Sequence, residues 1–265
     1  CISQACVLPL YPQYIPPEDA PYEWSFESSD YNLVIADLYA EQYSTTVLLT
    51  RYELYKNNNF YFLKEHENLM QNAELKFNRL AALKIKTEDF LEKEGSEELV
   101  LFLLPEGTST AGQYLADSLV LMIETSGMES TYRVFVHEYS HFLWNDDYYP
   151  MWLQEGLAEY VAYKILPASG VTASSTVNLL DWGKYDFDLD TTVKLYSQAR
   201  LMFGHFEDTF GETKTKQLIA ELEALPEDMD VYSVEYENLV ENIVQSISGQ
   251  DISLDSFANQ KYGSN

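Results

Sequence analysis

Apolar positions in the first half of the chain fall into one helical pattern followed by two continuous runs. The stretch 51–85 contains neither Gly nor Pro, and it carries apolar residues at helical spacing: Tyr55, Phe62, Leu69, Leu75 and Leu80. This pattern predicts one long helix over 51–85, followed by a short helix over 87–93 that ends at Gly95. The runs "LVLFLL" at 99–104 and "SLVLMIE" at 118–124 have the length of buried strands.

The second half of the chain is patterned almost entirely as helix. Apolar residues at helical spacing predict helices over 131–145, 151–165, 191–210, 212–224 and 234–247. The order of elements predicts an α+β fold class, with a small sheet and a long helix in the N-terminal half and a mostly helical C-terminal half. We expect three regions: a tether over 1–26, an α+β subdomain over 27–130 and a helical subdomain over 131–265.

Prolines and cysteines set the first region apart. Five of the nine prolines lie within the first 21 residues, which favours extended chain and predicts the tether. The chain holds two cysteines, Cys1 and Cys6. A leading Cys resembles the residue that carries the lipid in bacterial lipoproteins, so we expect an exported protein, either a cell-surface lipoprotein or a secreted one. The alternative is an unmodified Cys1 that pairs with Cys6.

The charge balance limits the partners of the protein. With 16 Lys and Arg against 43 Asp and Glu, the formal net charge is −27. Such a surface repels phosphate backbones, so we expect no nucleic-acid partner. No apolar run approaches the roughly 20 residues that a bilayer requires, so we expect no transmembrane helix.

The segment "HEYSH" concentrates chemistry on one predicted helix. His137 and His141 are four residues apart, which places both imidazoles on one face about one turn apart. Two neutral imidazoles at that separation can bind one metal ion, and zinc suits nitrogen ligands. Glu138 follows the first histidine, so it can act as general base toward a metal-bound water whose pKa the metal lowers toward ~7. Two structural histidines in a buried helix are the alternative.

A carboxylate in the next predicted helix supplies a third ligand. "NDDYYP" interrupts the first helix, and Pro150 is suited to the first position of the second. Glu155 follows His141 by 14 residues, so a short loop can bring its carboxylate back to the imidazoles. "HEYSH" followed by "WLQEGLAEY" resembles the gluzincin zinc metallopeptidases, especially the aminopeptidase-N-like clan.

The resemblance implies roles for individual residues. It implies a zincin-like fold with the site in a cleft between the two halves, one zinc ion per chain on His137, His141 and Glu155, and Glu138 as base. It also implies that Glu159 orients a ligand histidine, although a solvated glutamate is equally compatible with the sequence.

Later in the chain, "YSQARLMFGHFEDTFG" resembles the segment whose tyrosine binds the oxyanion in these enzymes. Tyr196 is the candidate, and His205 on the same predicted helix is the rival donor. The Gly-x-Met-Glu-Asn strand that binds the substrate amine in the aminopeptidases has no counterpart here. Residues 111–124 could instead form an edge strand that pairs with an extended substrate.

The sequence therefore predicts a zinc-dependent peptidase acting on a peptide or protein substrate, with the choice between endopeptidase and exopeptidase open. Two alternatives remain. One is a silent zincin-fold binding or scaffold protein at the cell surface, against which an intact Glu138 argues. The other is a zinc hydrolase that acts on a non-peptide bond, because the same activated water would attack other carbonyls.

Overall fold

A computed structural model describes backbone and side chains for residues 74–95, 131–144, 149–167, 177–226 and 228–263. The backbone alone is described for 73, for 128–130 and for eight short strands. Their bounds are β1 (Ala5–Leu10), β2 (Asn32–Ile35), β3 (Thr45–Thr50), β4 (Leu54–Asn57), β5 (Phe60–Leu63), β6 (Val100–Pro105), β7 (Gly112–Leu115) and β8 (Val120–Thr125).

Seven α-helices make up most of the described chain. They are α1 (Ala73–Leu91), α2 (Met128–Trp144), α3 (Met151–Ile165), α4 (Leu189–Phe210), α5 (Glu212–Glu223), α6 (Val234–Ser248) and α7 (Leu254–Ala258). A 3-10 turn at Leu179–Asp181 precedes α4. Side-chain caps stop several helices from fraying: Asp188 accepts a hydrogen bond from the Thr191 amide at the start of α4, and Ser233 accepts one from the Tyr236 amide at the start of α6.

The predicted α+β fold class is wrong for the part of the chain that is described with its side chains. That part is 74% helical and contains no strand and no sheet, so it is mostly helical. The reason is the location of the core: the buried apolar side chains of this part lie on helices or on the turns between them. A core of this kind packs helix against helix and needs no sheet.

The chain divides into two compact units, and the predicted boundaries after 26 and 130 stay predictions. The first unit comprises 1–86 and 94–142. Its backbone includes an antiparallel sheet ordered β1-β3-β2 and a mixed sheet ordered β4-β5-β6-β8-β7. Within this unit α1 contacts α2, because the Arg79 guanidinium lies 4.5 Å from the centre of the Tyr132 ring.

The second unit comprises 87–93 and 143–265, and α3 and α4 form its centre. Their contacts run in sequence order along both helices: Glu155 meets Tyr196, Gly156 meets Ala199, and Tyr160 and Lys164 both meet Glu207. The two helices are therefore roughly parallel. Phe257 of α7 packs on α4 through edge-on contacts with Phe203 and Phe206.

Helix boundaries in the second half agree with the predictions to within three residues, and α3 matches exactly at 151–165. The predicted helix over 51–85 is wrong, because a helix begins only at Ala73, and it continues to Leu91 without the predicted break after residue 85. Asparagines at 57–59 explain part of the error, since Asn favours turns over helix. Pro150 also lies one residue earlier than predicted, at the N-cap of α3.

Candidate metal centre

The two histidines of "HEYSH" converge on one point. Both lie on α2 and are buried, with 8% of His137 and 5% of His141 exposed. Their Nε2 atoms are 3.1 Å apart, and the ring planes are nearly perpendicular at 79°. Two imidazoles bound to one tetrahedral zinc at ~2.0–2.1 Å would hold their nitrogens about 3.3 Å apart. The observed spacing is therefore close to that of two nitrogen ligands of one ion.

Glu155 brings a carboxylate to the same point from α3. One ligand atom from each of His137, His141 and Glu155 can be chosen so that all three lie within 4.8 Å of one another. Two neutral imidazoles and one carboxylate are a donor set suited to zinc and to other transition metals. The group could therefore hold a metal ion, and its chemistry fits the ligand set that the sequence predicts.

Glu138 is the most buried of the carboxylates that the sequence predicts to be functional. It lies next to His137 on α2 with 9% of the residue exposed. Burial of a charged carboxylate is costly unless it is paired or bonded. The helix therefore carries a buried carboxylate directly after the first candidate ligand, and its role as general base stays a prediction.

Local sequence explains how α3 presents Glu155. Pro150 has a φ of −67° and caps the helix, and its carbonyl accepts hydrogen bonds from the amides of Leu153 and Gln154 at 2.8 and 3.1 Å. Proline is suited to this position because it has no amide hydrogen to leave unpaired. Glu155 consequently lies in the first turn and a half of α3, half-buried.

Gly156 brings α3 and α4 close together directly beside Glu155. A Cβ at residue 156 would lie 3.2 Å from the Ala199 carbonyl oxygen and 3.3 Å from the Met202 methyl carbon. Any larger residue at 156 would require the α4 backbone at Ala199 to move by a few tenths of an ångström. The sequence analysis did not assign this role to Gly156, although the glycine next to the predicted ligand was the available signal.

Tyr196 lies beside Glu155. Its hydroxyl donates a hydrogen bond to Glu155 Oε1 over 3.3 Å, and its ring meets the buried Trp182 ring edge-on at 4.9 Å. The structure therefore brings the predicted oxyanion donor to the candidate ligand carboxylate. Trp182 is a neighbour that the sequence analysis missed, because the two residues lie on different elements and no motif links them.

The two remaining candidates are placed differently. Glu159 is half-buried, one helical turn after Glu155 on α3. His205 is nine residues beyond Tyr196 on α4, which corresponds to ~14 Å along the helix axis. Its Nε2 lies 2.8 Å from the Tyr262 carbonyl oxygen, and its ring packs on the Tyr262 ring at 4.8 Å. The structure therefore groups His205 with the C-terminal segment and not with Tyr196.

Comparisons with known proteins give no family assignment. No protein-family description matches the sequence, and no curated protein matches it. Among the residues that the structure describes, no helix is both long and apolar enough to cross a membrane. The side chains of Cys1 and Cys6 lie outside the described residues, so the predicted lipid anchor and disulfide both stay predictions.

Proposed function

We propose that this protein is a zinc-dependent peptidase of the gluzincin type. The observation that supports the proposal best is the convergence of two imidazole nitrogens and one carboxylate within 4.8 Å. The buried Glu138 follows the first of these histidines in the sequence. Helical spacing alone accounts for the histidine pair, but it does not require a carboxylate from another helix at the same point. The combination is the arrangement that hydrolysis by an activated water requires.

In the proposed reaction His137, His141 and Glu155 hold the zinc ion. The ion, when bound, acts as a Lewis acid and lowers the pKa of a water molecule toward ~7. Glu138 accepts a proton from the attacking water as its oxygen bonds to the substrate carbonyl carbon. Glu138 then donates that proton to the amide nitrogen as the C–N bond breaks, so that a carboxylic acid and an amine leave. We assign the oxyanion to the Tyr196 hydroxyl, which would have to exchange its hydrogen bond to Glu155 for one to the oxyanion during the reaction.

Of the three candidate functions, peptide hydrolysis best accounts for the position of Glu138. A silent binding or scaffold protein would need no buried carboxylate directly after the first histidine, because burial of that charge costs stability. Hydrolysis of a non-peptide bond, such as an ester, needs the same ligands and base. Its leaving group depends less on a proton from Glu138 than an amide nitrogen does. We therefore treat both as outcomes that an experiment can reveal.

The test is hydrolysis of an unbiased peptide mixture by the full chain, followed by mass spectrometry. We expect cleavage by the zinc-loaded protein and none after removal of the metal with a chelator. Glu138→Gln keeps the size of the side chain but removes the base, so it should lower the cleavage rate by roughly 10²–10⁴ while zinc stays bound. A Glu138→Gln protein that cleaves peptides at the wild-type rate would exclude the proposed mechanism.

A further inference from the structure

The hydrogen bond between Tyr196 and Glu155 makes the two oxygens of a candidate metal ligand different from each other. The Tyr196 hydroxyl donates to Oε1 of Glu155 over 3.3 Å. A carboxylate can bind a metal through one oxygen or through both, and a hydrogen bond to one of them weakens that oxygen as a ligand. The phenol therefore acts on the mode of ligation as well as on the position of the carboxylate.

Trp182 restricts where the phenol can lie. The indole is 94% buried, and the ring centroids of Trp182 and Tyr196 are 4.9 Å apart with an angle of 76° between the planes. Edge-to-face contact of this kind is a favoured aromatic geometry. A ring held in this way presents its hydroxyl to Glu155 in one orientation.

The turn that carries Trp182 is itself fixed. The Trp182 amide donates to the Leu179 carbonyl at 3.0 Å, closing the 3-10 turn, and the Asn178 side chain caps that turn by accepting from the Leu180 amide at 3.1 Å. Asn259 donates to the Asn178 side chain at 2.9 Å.

The same network reaches the helix that carries Tyr196. Gln198 is two residues after Tyr196 on α4, and its Nε2 donates to Asn259 Oδ1 at 2.8 Å. The turn with Trp182 and the helix with Tyr196 are therefore tied to one shared asparagine. This network therefore helps to set the relative position of the two aromatic rings.

We propose that Tyr196, held by Trp182, is a positioning residue that makes Glu155 a one-oxygen ligand and so sets the coordination number of the metal. The proposal rests on the proposed metal site. With one oxygen from Glu155 and two imidazoles, a tetrahedral ion keeps its fourth position for water. Ligation through both oxygens would take up that position and lower the capacity to activate water.

The experiment uses cobalt(II) in place of zinc in the full chain, because visible absorption by cobalt weakens as coordination rises from four to five or six ligands. Wild type should give the intense four-coordinate spectrum. Tyr196→Phe should give a weaker, higher-coordinate spectrum and a metal affinity lower by roughly 10–100-fold in chelator competition. Tyr163→Phe is the matched control, since it removes one hydroxyl from the same pair of helices; the Tyr163 ring contacts Arg200 at 4.7 Å.

Trp182 variants separate positioning from general stability. Trp182→Phe keeps an aromatic ring against Tyr196 and should keep the four-coordinate spectrum, whereas Trp182→Leu should shift it toward the Tyr196→Phe spectrum. A loss of stability alone would lower the melting temperature without changing the spectrum of the folded protein.

The proposal is overturned if Tyr196→Phe has the spectrum and affinity of wild type, or if Tyr163→Phe changes both as much. It is also overturned if wild type binds no cobalt, an outcome that would remove the metal site as well. If wild type binds cobalt as expected and cleaves no peptide, the proposed peptidase function fails and the positioning role of Tyr196 stands.

Discussion

At the scale of single residues, the candidate site separates the ligands from the base by position. His137 and His141 point their Nε2 atoms at each other over 3.1 Å, and Glu155 is the carboxylate within 4.8 Å of them. Glu138 is on the same helix as the histidines but is not part of that group. Substitution of Glu138 and of Glu155 should therefore have different consequences.

Removal of Glu155 should affect the metal first. Glu155→Ala deletes one of three protein ligands. Loss of a residue that only hydrogen-bonds a ligand typically lowers metal affinity by roughly 10–100-fold, so the loss of Glu155 should lower it by more. Chelator competition monitored by metal content measures the change. Glu221→Ala, at an exposed position on α5, is the control and should keep the wild-type affinity. Equal affinities for Glu155→Ala and wild type would exclude Glu155 as a ligand.

Some of these residues follow from the sequence and others do not. His137 and His141 share a helix, so their four-residue spacing determines their proximity as soon as the helix forms. Tyr196 and Glu155 are 41 residues apart, and their contact depends on how α3 packs on α4. The order of residues shows neither the contact with Trp182 nor the engagement of His205 by Tyr262, because both require the packed second unit.

At the scale of elements, the close packing of α3 on α4 decides whether Tyr196 can reach Glu155. Gly156 is the point of close approach, and the nearest atom to a Cβ built there is a backbone oxygen of α4. A flexible side chain could move away at little cost, but a backbone oxygen moves only with its helix. Substitution at Gly156 should therefore shift the two helices relative to each other.

Two glycine variants test this packing. Ala in place of Gly in a helix normally stabilises by about 0.5–1 kcal/mol. Gly204→Ala should show that gain, because nothing lies within 4 Å of a Cβ at residue 204 on α4. In Gly156→Ala the close contact with Ala199 should cancel this gain in stability. The same variant should also lower the metal affinity. Denaturant unfolding measures both, and equal stabilisation by the two variants would contradict the close packing.

The opposite end of the same helix pair is joined by a partly buried carboxylate. Glu207 accepts hydrogen bonds from the Tyr160 hydroxyl and from Lys164 Nζ, the second over 2.7 Å. Burial works to raise the pKa of Glu207, but the hydrogen bonds from Lys164 and Tyr160 outweigh it and hold this pKa below its ordinary value. The ionised carboxylate therefore stabilises the folded state.

This lowered pKa predicts how stability depends on pH. A carboxyl whose pKa is lower in the folded state contributes its full stabilisation above its unfolded pKa of 4.5. That contribution should be lost as the pH falls below about 4.5 and through the lower folded pKa. Glu207→Gln should thus be less stable than wild type at pH 7, with a smaller difference at pH 3. A difference that stays constant between pH 7 and pH 3, measured by urea unfolding, would contradict the assignment.

At the scale of the whole molecule, helix positions in the second half were predictable, whereas the long helix of the first half and the fold class were not. Helical spacing in the second half predicts the bounds of α3 without error and those of the other long helices to within three residues. The pattern is informative there because the apolar faces of these helices are buried against one another. Apolar runs in the first half of the sequence predict an α+β core. In the part described with its side chains, the core is instead formed by helices. Local patterns indicate elements, but they do not show which elements share a core.

The most direct test of the account is the number of metal ions that each chain binds. Purified protein is reconstituted with zinc, freed of excess metal and measured by native mass spectrometry beside a His137→Ala, His141→Ala double variant. We predict one zinc ion per wild-type chain and none on the double variant, since zinc prefers nitrogen ligands and carboxylates without imidazoles favour harder ions. Wild type without bound zinc, or a double variant that retains it, would contradict the central claim.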